Sequence, residues 1–240
     1  MNAHINNITD SYTLNDKINV DAKVTFLRIS PNGKRQTLGV IFAMLQDMSW
    51  ITKLAPAVLQ KSFLARAQGT LDKLVEIIND SDALADADSV VSDAAEYIVS
   101  VLASEAVVNE LHYTKLPLPE VFKQQKSQNP GFDFFIISAK DILLFGEAKF
   151  VANQNAYGNA LKQIVRFELE SNDIKDLASL FFFVDEDLIK KVNDGVKGYV
   201  AAFSSTNIPT CNLVQHIQEN ADYSKITQHE ELVLVAVDMI

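Results

Sequence analysis

Residues 131–150 read GFDFFIISAKDILLFGEAKF, and this stretch limits the possible folds more than any other in the chain. Two apolar runs flank a short polar break, Ser138-Ala139-Lys140-Asp141, so the segment predicts a β-hairpin with its turn at the break. Successive side chains in a strand point to opposite faces. Leu143, Phe145, Glu147 and Lys149 therefore share one side of the second strand, and Leu144, Gly146, Ala148 and Phe150 share the other. Asp133 opens the first strand, and antiparallel pairing carries it to the end of the second, beside Glu147 and Lys149. Three ionisable groups converge at one end of an otherwise apolar hairpin.

Burying two carboxylates and an ammonium beside apolar neighbours is costly unless they pair or bind a metal. One reading makes the cluster an internal ion-pair set at a sheet end. In the other, Asp133, Glu147 and the Ala148 backbone carbonyl, with waters, make the hard-oxygen donor set of Mg²⁺ or Mn²⁺. Lys149 then orients or helps deprotonate an attacking water and stabilises charge on a phosphate, which is the chemistry of phosphodiester hydrolysis. The surplus of like charge favours the metal site.

The rest of the chain supplies the setting. A helix is expected over Val91–Leu111, with Ala94, Ile98, Val101, Leu102 and Val108 near one face, and another over Ala156–Glu170, with Ala156, Ala160, Ile164 and Phe167 on one side. Leu177–Val184 (LASLFFFV) reads as a buried strand, Asp185–Lys191 as a short helix and Glu231–Ile240 as a last strand, with Phe181-Phe182-Phe183 and Trp50 in the core. Towards the N-terminus, Ile18–Ile29 reads as β, Ser30-Pro31-Asn32-Gly33 as a turn and Thr37–Phe42 as its partner strand. Helical periodicity follows from about Trp50 to His112, with Leu71, Leu74, Val75 and Ile78 on one face and a loop over Asn79–Ser89. Helix, hairpin, helix and strand in that order define an α/β fold.

Function classes are narrowed by composition. The net charge of −10 argues against unaided nucleic-acid binding, which needs clustered Lys and Arg. The charge is uneven, however. Lys115–Arg166 holds seven basic residues against four acidic ones, a net of +3, leaving −13 on the remainder. No apolar run is long enough to span a membrane and the start lacks a secretory pattern, so a cytoplasmic protein is expected. A lone cysteine, Cys211, makes no internal disulfide, the four histidines show no ligand spacing, and no phosphate-binding P-loop is present.

Pro130-Gly131-Phe132-Asp133 followed by Glu147-Ala148-Lys149 resembles the PD-(D/E)xK, or restriction-endonuclease-like, nuclease core. Within that superfamily, Gly131-Phe132-Asp133 and Leu144–Phe150 are similar to HamA, the nuclease-subunit family of the Hachiman anti-phage defence systems; the resemblance covers roughly Val91–Arg166. It implies a core of helix, mixed β-sheet with a central hairpin, helix and strand over residues 90–240. Residues 1–89 would then be an N-terminal β-hairpin and helical extension that docks a partner. It also implies DNA as substrate, a helicase (ATPase) partner that restrains the nuclease until infection, and so a heterodimer.

The superfamily often adds an acid from the preceding helix. Glu96 is best placed, with Glu105 and Glu110 as rivals, although Asp93-Ala94-Ala95-Glu96 also reads as a capping box at a helix start. It also often uses a polar residue on the following helix, here Gln163, with Lys162 and Arg166 placed for substrate phosphate or as a solvated face. Two alternatives stand beside this reading: a non-catalytic scaffold subunit that keeps the hairpin as structure, and a stand-alone restriction-type endonuclease.

Overall fold

The computed structural model describes residues 11–33, 49–53, 57–58, 60–65, 89–117, 131–206 and 208–239, with isolated positions between 39 and 72. Its centre is one mixed seven-stranded sheet in the order β1-β2-β7-β6-β5-β4-β3. The strands are β1 (Tyr12–Asn19), β2 (Val24–Pro31), β3 (Thr114–Lys115), β4 (Phe134–Ile137), β5 (Leu143–Lys149), β6 (Gly198–Ser205) and β7 (Glu231–Asp238). The four central strands, β5, β6, β7 and β2, are parallel, and antiparallel β4 and β1 flank them, with β3 antiparallel to β4 at the far edge. Helix α1 (Ser89–Leu111) covers one face. The other is covered by α2 (Tyr157–Leu169), α3 (Asn172–Leu180), α4 (Glu186–Asn193), α5 (Thr210–Gln218) and α6 (Tyr223–Ile226). The chain is thus α/β, and no helix among the described residues is long and apolar enough to cross a membrane.

Strand parity sorts the sheet into two cores, as expected when both faces are covered. Leu144, Ala148, Val200, Ala202, Val233 and Val235 pack towards α1 with Ile98, Val99, Leu102 and Val107. Phe145, Tyr199, Ala201, Phe203, Leu232 and Leu234 face the opposite layer. Helix α2 offers that layer Ala160, Leu161, Ile164 and Phe167 at helical spacing. Helix α4 starts on Asp185, whose carboxylate accepts from Leu188 N–H, and ends before Gly195, which takes φ 85° as helix-terminating glycines do.

The hairpin, the flanking helices, the short helix after Asp185 and the final strand lie where the sequence places them. Three expectations are corrected. Residues 177–180 form the end of helix α3, not a strand; Leu177 and Leu180, three apart, are buried. Phe181 and Phe182 are 56% and 41% exposed, so the phenylalanine run is not wholly core, although Phe183 packs edge-on against Trp50. The apolar run had no helical period of its own, and its aromatic content favoured a strand.

The strand expected over Ile18–Ile29 is split at residues 20–23 into β1 and β2. Asp21 Oδ1 accepts from Lys23 N–H and Val24 N–H there, an Asx-turn that outranks the downstream Pro-Asn-Gly as the hairpin turn. Through β2 this hairpin is hydrogen-bonded to β7, so residues 12–31 extend the same sheet as the site-bearing strands. The partner strand at Thr37–Phe42, except for helical Gly39, lies outside the described residues. So do the loop at Asn79–Ser89 (apart from its last residue, where α1 begins) and the apolar positions Leu71, Leu74, Val75 and Ile78.

Arg28 shows how the β1–β2 edge is fixed. Its guanidinium meets Asp238 at 2.9 Å and donates to the carbonyls of Ile208 (2.6 Å) and Thr206 (3.0 Å), so a buried cation on β2 closes the far end of β7.

Candidate active site at the end of the central hairpin

The site begins with register. Phe134 pairs with Gly146 and Phe135 with Phe145, and the paired ladder ends there, leaving Asp133 just beyond it at the Glu147 end of β5. Asp133 N–H donates to the O of Gly146, the residue already paired with Phe134, at 2.8 Å, so Asp133 is tied to β5 where the regular pairing gives way. Asp133 Oδ2 in turn accepts from Ala148 N–H at 2.7 Å, which fixes the carboxylate against the end of β5. Gly146 is required here: a Cβ at that position would stand 2.3 Å from the Phe134 ring, which covers the backbone just before Glu147.

Glu147 is 1% exposed. Lys149 Nζ lies 2.9 Å from its Oε1 and 3.2 Å from Glu96 Oε2 on α1, so one ammonium bridges strand and helix. Glu147 Oε2 is buried and meets no hydrogen-bond donor among the described residues. Burial, and then the charge of Asp133, push the Glu147 carboxyl well above the usual carboxylate range; Lys149 offsets this only in part and Glu96 adds to it. For Lys149, burial acts to lower the pKa, but the charges of Glu147, Asp133 and Glu96 outweigh it and raise it. The cluster is therefore three carboxylates around one firmly protonated lysine, with an orphaned buried oxygen at its centre.

Glu231 Oε2 is also buried without a donor among the described residues, but only the Glu147 oxygen has further acidic residues, Asp133 and Glu96, acting on the same carboxyl, and it is this combination that fits a divalent cation. A buried carboxylate oxygen with no donor is rare because it keeps its full desolvation cost, and a hard cation removes that cost. Among the described residues no group of three or more His, Cys, Asp or Glu side chains is arranged to hold a metal. The donor set here is smaller, two carboxylates and the Ala148 carbonyl, and suits Mg²⁺, which keeps several waters.

The remaining expected residues separate. Helix α1 is already helical at Ser89, so Asp93 is interior to it and the capping-box reading of Glu96 does not hold. Glu105 is buried against Lys115 at 2.7 Å, and Glu110 accepts from Tyr12 Oη at 3.0 Å, which engages both rivals of Glu96 elsewhere. Gln163 is half-buried on α2, and Lys162 is exposed. Arg166 is exposed too, 3.8 Å from Glu170 and stacked over Phe167. Lys123 and Lys126 of the basic window lie outside the described residues.

A second ionic cluster, at the entry ends of β6 and β7, provides a contrast. Lys197 meets Asp173 at 2.5 Å and Glu168 at 3.1 Å, and His229 meets Glu168 at 2.9 Å. Burial raises Glu168, but the His229 hydrogen bond, with the charges of His229 and Lys197, outweighs it and holds the carboxyl down at about 2. There both carboxylates have donors within reach, Lys197 for Asp173 and Glu168 and the His229 ring for Glu168, as in a structural network. At Glu147 one buried oxygen has no such donor among the described residues.

Two contributors were not legible as site residues: Asp176, which accepts from Phe132 N–H at 2.9 Å, and Ser204, whose Oγ accepts from Val151 N–H at 3.0 Å just after Lys149. Both lie in or beside segments whose secondary structure the sequence misassigns or leaves unassigned. No protein-family model and no curated protein matches the chain.

Proposed function

We propose that the protein is a metal-dependent phosphodiester hydrolase acting on DNA, with a restriction-endonuclease-like core of the PD-(D/E)xK type. The observation that carries this reading is the buried Glu147 carboxylate, with one oxygen unpaired, held beside Lys149 and close enough to Asp133 to feel its charge. Asp133, Glu147 and the Ala148 carbonyl would hold Mg²⁺ or Mn²⁺, which when bound lowers the pKa of a water and neutralises charge on a phosphate. The residues of the chain do the rest. Asp133 is held in place by the Ala148 N–H. Lys149, kept protonated by its neighbours, orients the attacking water and stabilises the phosphate charge. Glu96 fixes the lysine from the helix side at 3.2 Å.

The overall charge of −10 supports delivery of DNA by a second protein, and the similarity of the hairpin motifs to HamA suggests a helicase in an anti-phage defence system as that partner. The direct test incubates the purified chain with linear and circular DNA in Mg²⁺ or in excess chelator. Cleavage in Mg²⁺ that the chelator stops is expected at low salt and at a protein concentration high enough to offset weak unaided DNA binding. Identical products in the two reactions would refute metal-dependent hydrolysis. RNA in a parallel reaction sets the substrate class.

A further inference from the structure

The backbone at Asp133 is held from two directions. Its own N–H goes across the hairpin to Gly146 O at 2.8 Å. The N–H of Phe132, one residue earlier, leaves the sheet and donates to Asp176 Oδ2 at 2.9 Å in a buried contact. Asp176 is 6% exposed and lies on α3, three residues after Asp173 and so on the same face. Asp173 is itself gripped by Lys197 at the entry to β6. Helix α3 is thus anchored on β6 and reaches past β5 to the entry of β4. Between these points the Phe132 ring packs 5.2 Å from Phe145, 5.2 Å from Phe167 and 5.9 Å from Tyr199.

A neutral acceptor would satisfy Phe132 N–H. A buried carboxylate is the costlier choice, and what it adds is a stronger, shorter, charge-assisted bond. That stiffness is spent on the residue next to the proposed ligand. The geometry points to Asp176 as a positioning residue that sets the backbone of Asp133, and through it the angle at which the Asp133 carboxylate meets a divalent cation. This assignment rests on the reading of the hairpin end as a metal site.

The test is a calorimetric titration of the full chain with Mn²⁺, comparing wild type with D176A and D176N, each checked for a cooperative melt. Residues that orient metal ligands typically change affinity by about 10- to 100-fold when removed. D176A is expected to bind Mn²⁺ about 10-fold more weakly. D176N, which keeps an acceptor oxygen without the charge, is expected to bind more weakly than wild type and more tightly than D176A. A merely structural role would lower the melting temperature of D176A and leave the affinity of the folded protein unchanged. If D176A does not fold, D176N alone decides. A folded variant that binds Mn²⁺ as tightly as wild type overturns the assignment and leaves the metal site standing, whereas a wild type that binds no Mn²⁺ overturns both.

Discussion

Replacing Glu147 and Lys149 together by alanine is expected to remove Mg²⁺-dependent DNA cleavage, by at least about 10³-fold, while the protein still folds. The two effects separate because the residues form a pair. Glu147 is buried with Lys149 Nζ 2.9 Å away, so deleting both takes one negative and one positive charge from the same place. Lys149→Ala alone leaves Glu147 buried beside Asp133 and Glu96 without the one group that holds its carboxyl down, a change that costs at most about 3–5 kcal/mol because the carboxyl can take up a proton. The single variant should therefore melt below the double variant, an order that fits a coupled charge pair and not two independent contacts. Circular dichroism melts of the three proteins measure the order, and the cleavage assay measures the loss.

Gly146→Ala is expected to destabilise the fold by about 2–3 kcal/mol, lowering the melting temperature by roughly 5–10 °C for a chain of this size. The added methyl would stand 2.3–2.5 Å from three atoms of the Phe134 ring, and Phe134 is the direct cross-strand partner of Gly146 in the core beneath α1. Neither strand has room to move: β5 is paired on both sides and its residues up to Ala148 are buried. Because Glu147 is the next residue, whatever shift does occur is passed to the site, and cleavage should fall further than stability alone would account for. Combining Gly146→Ala with Phe134→Leu removes the obstructing ring and should recover part of the lost melting temperature. An additive loss in that double variant would place the strain elsewhere.

These two predictions depend on the part of the sequence that was easiest to read. In residues 131–150, period-two alternation, a polar break of the right length and charges confined to one end fixed both the hairpin and the side of Glu147 and Lys149. Helix α1 was legible from its apolar spacing over more than five turns. The central strand β6 was not. GYVAAFSS carries glycine, two alanines and two serines because both its faces are packed against neighbours, so it lacks both the alternation and the bulky β-branched content that mark a strand. At Gly198 a Cβ would stand 2.5 Å from the Glu231 carbonyl, a requirement set by β7, more than thirty residues further along the chain.

The Leu177–Val184 run failed in the opposite direction. It had strand-like composition, while the decisive facts were the buried Asp173 and Asp176 upstream, whose partners Lys197 and Phe132 are 24 and 44 residues away. Local pattern identifies which residues carry charge at the site. The contacts that aim them are long-range, and a single sequence does not show them.

The central claim is that Glu147 is a buried carboxylate whose missing partner is a divalent cation. The most direct measurement is the melting temperature of the chelator-treated wild-type protein, and of Asp133→Ala beside it, with and without Mg²⁺ or Mn²⁺. A cation present at about 100 times its dissociation constant stabilises the state it binds by about 2.7 kcal/mol. The wild type should therefore melt roughly 5–10 °C higher when the metal is added, and Asp133→Ala should show little or no rise. A wild-type melting temperature that does not change with either metal would contradict the account and return the hairpin end to a structural ion-pair cluster.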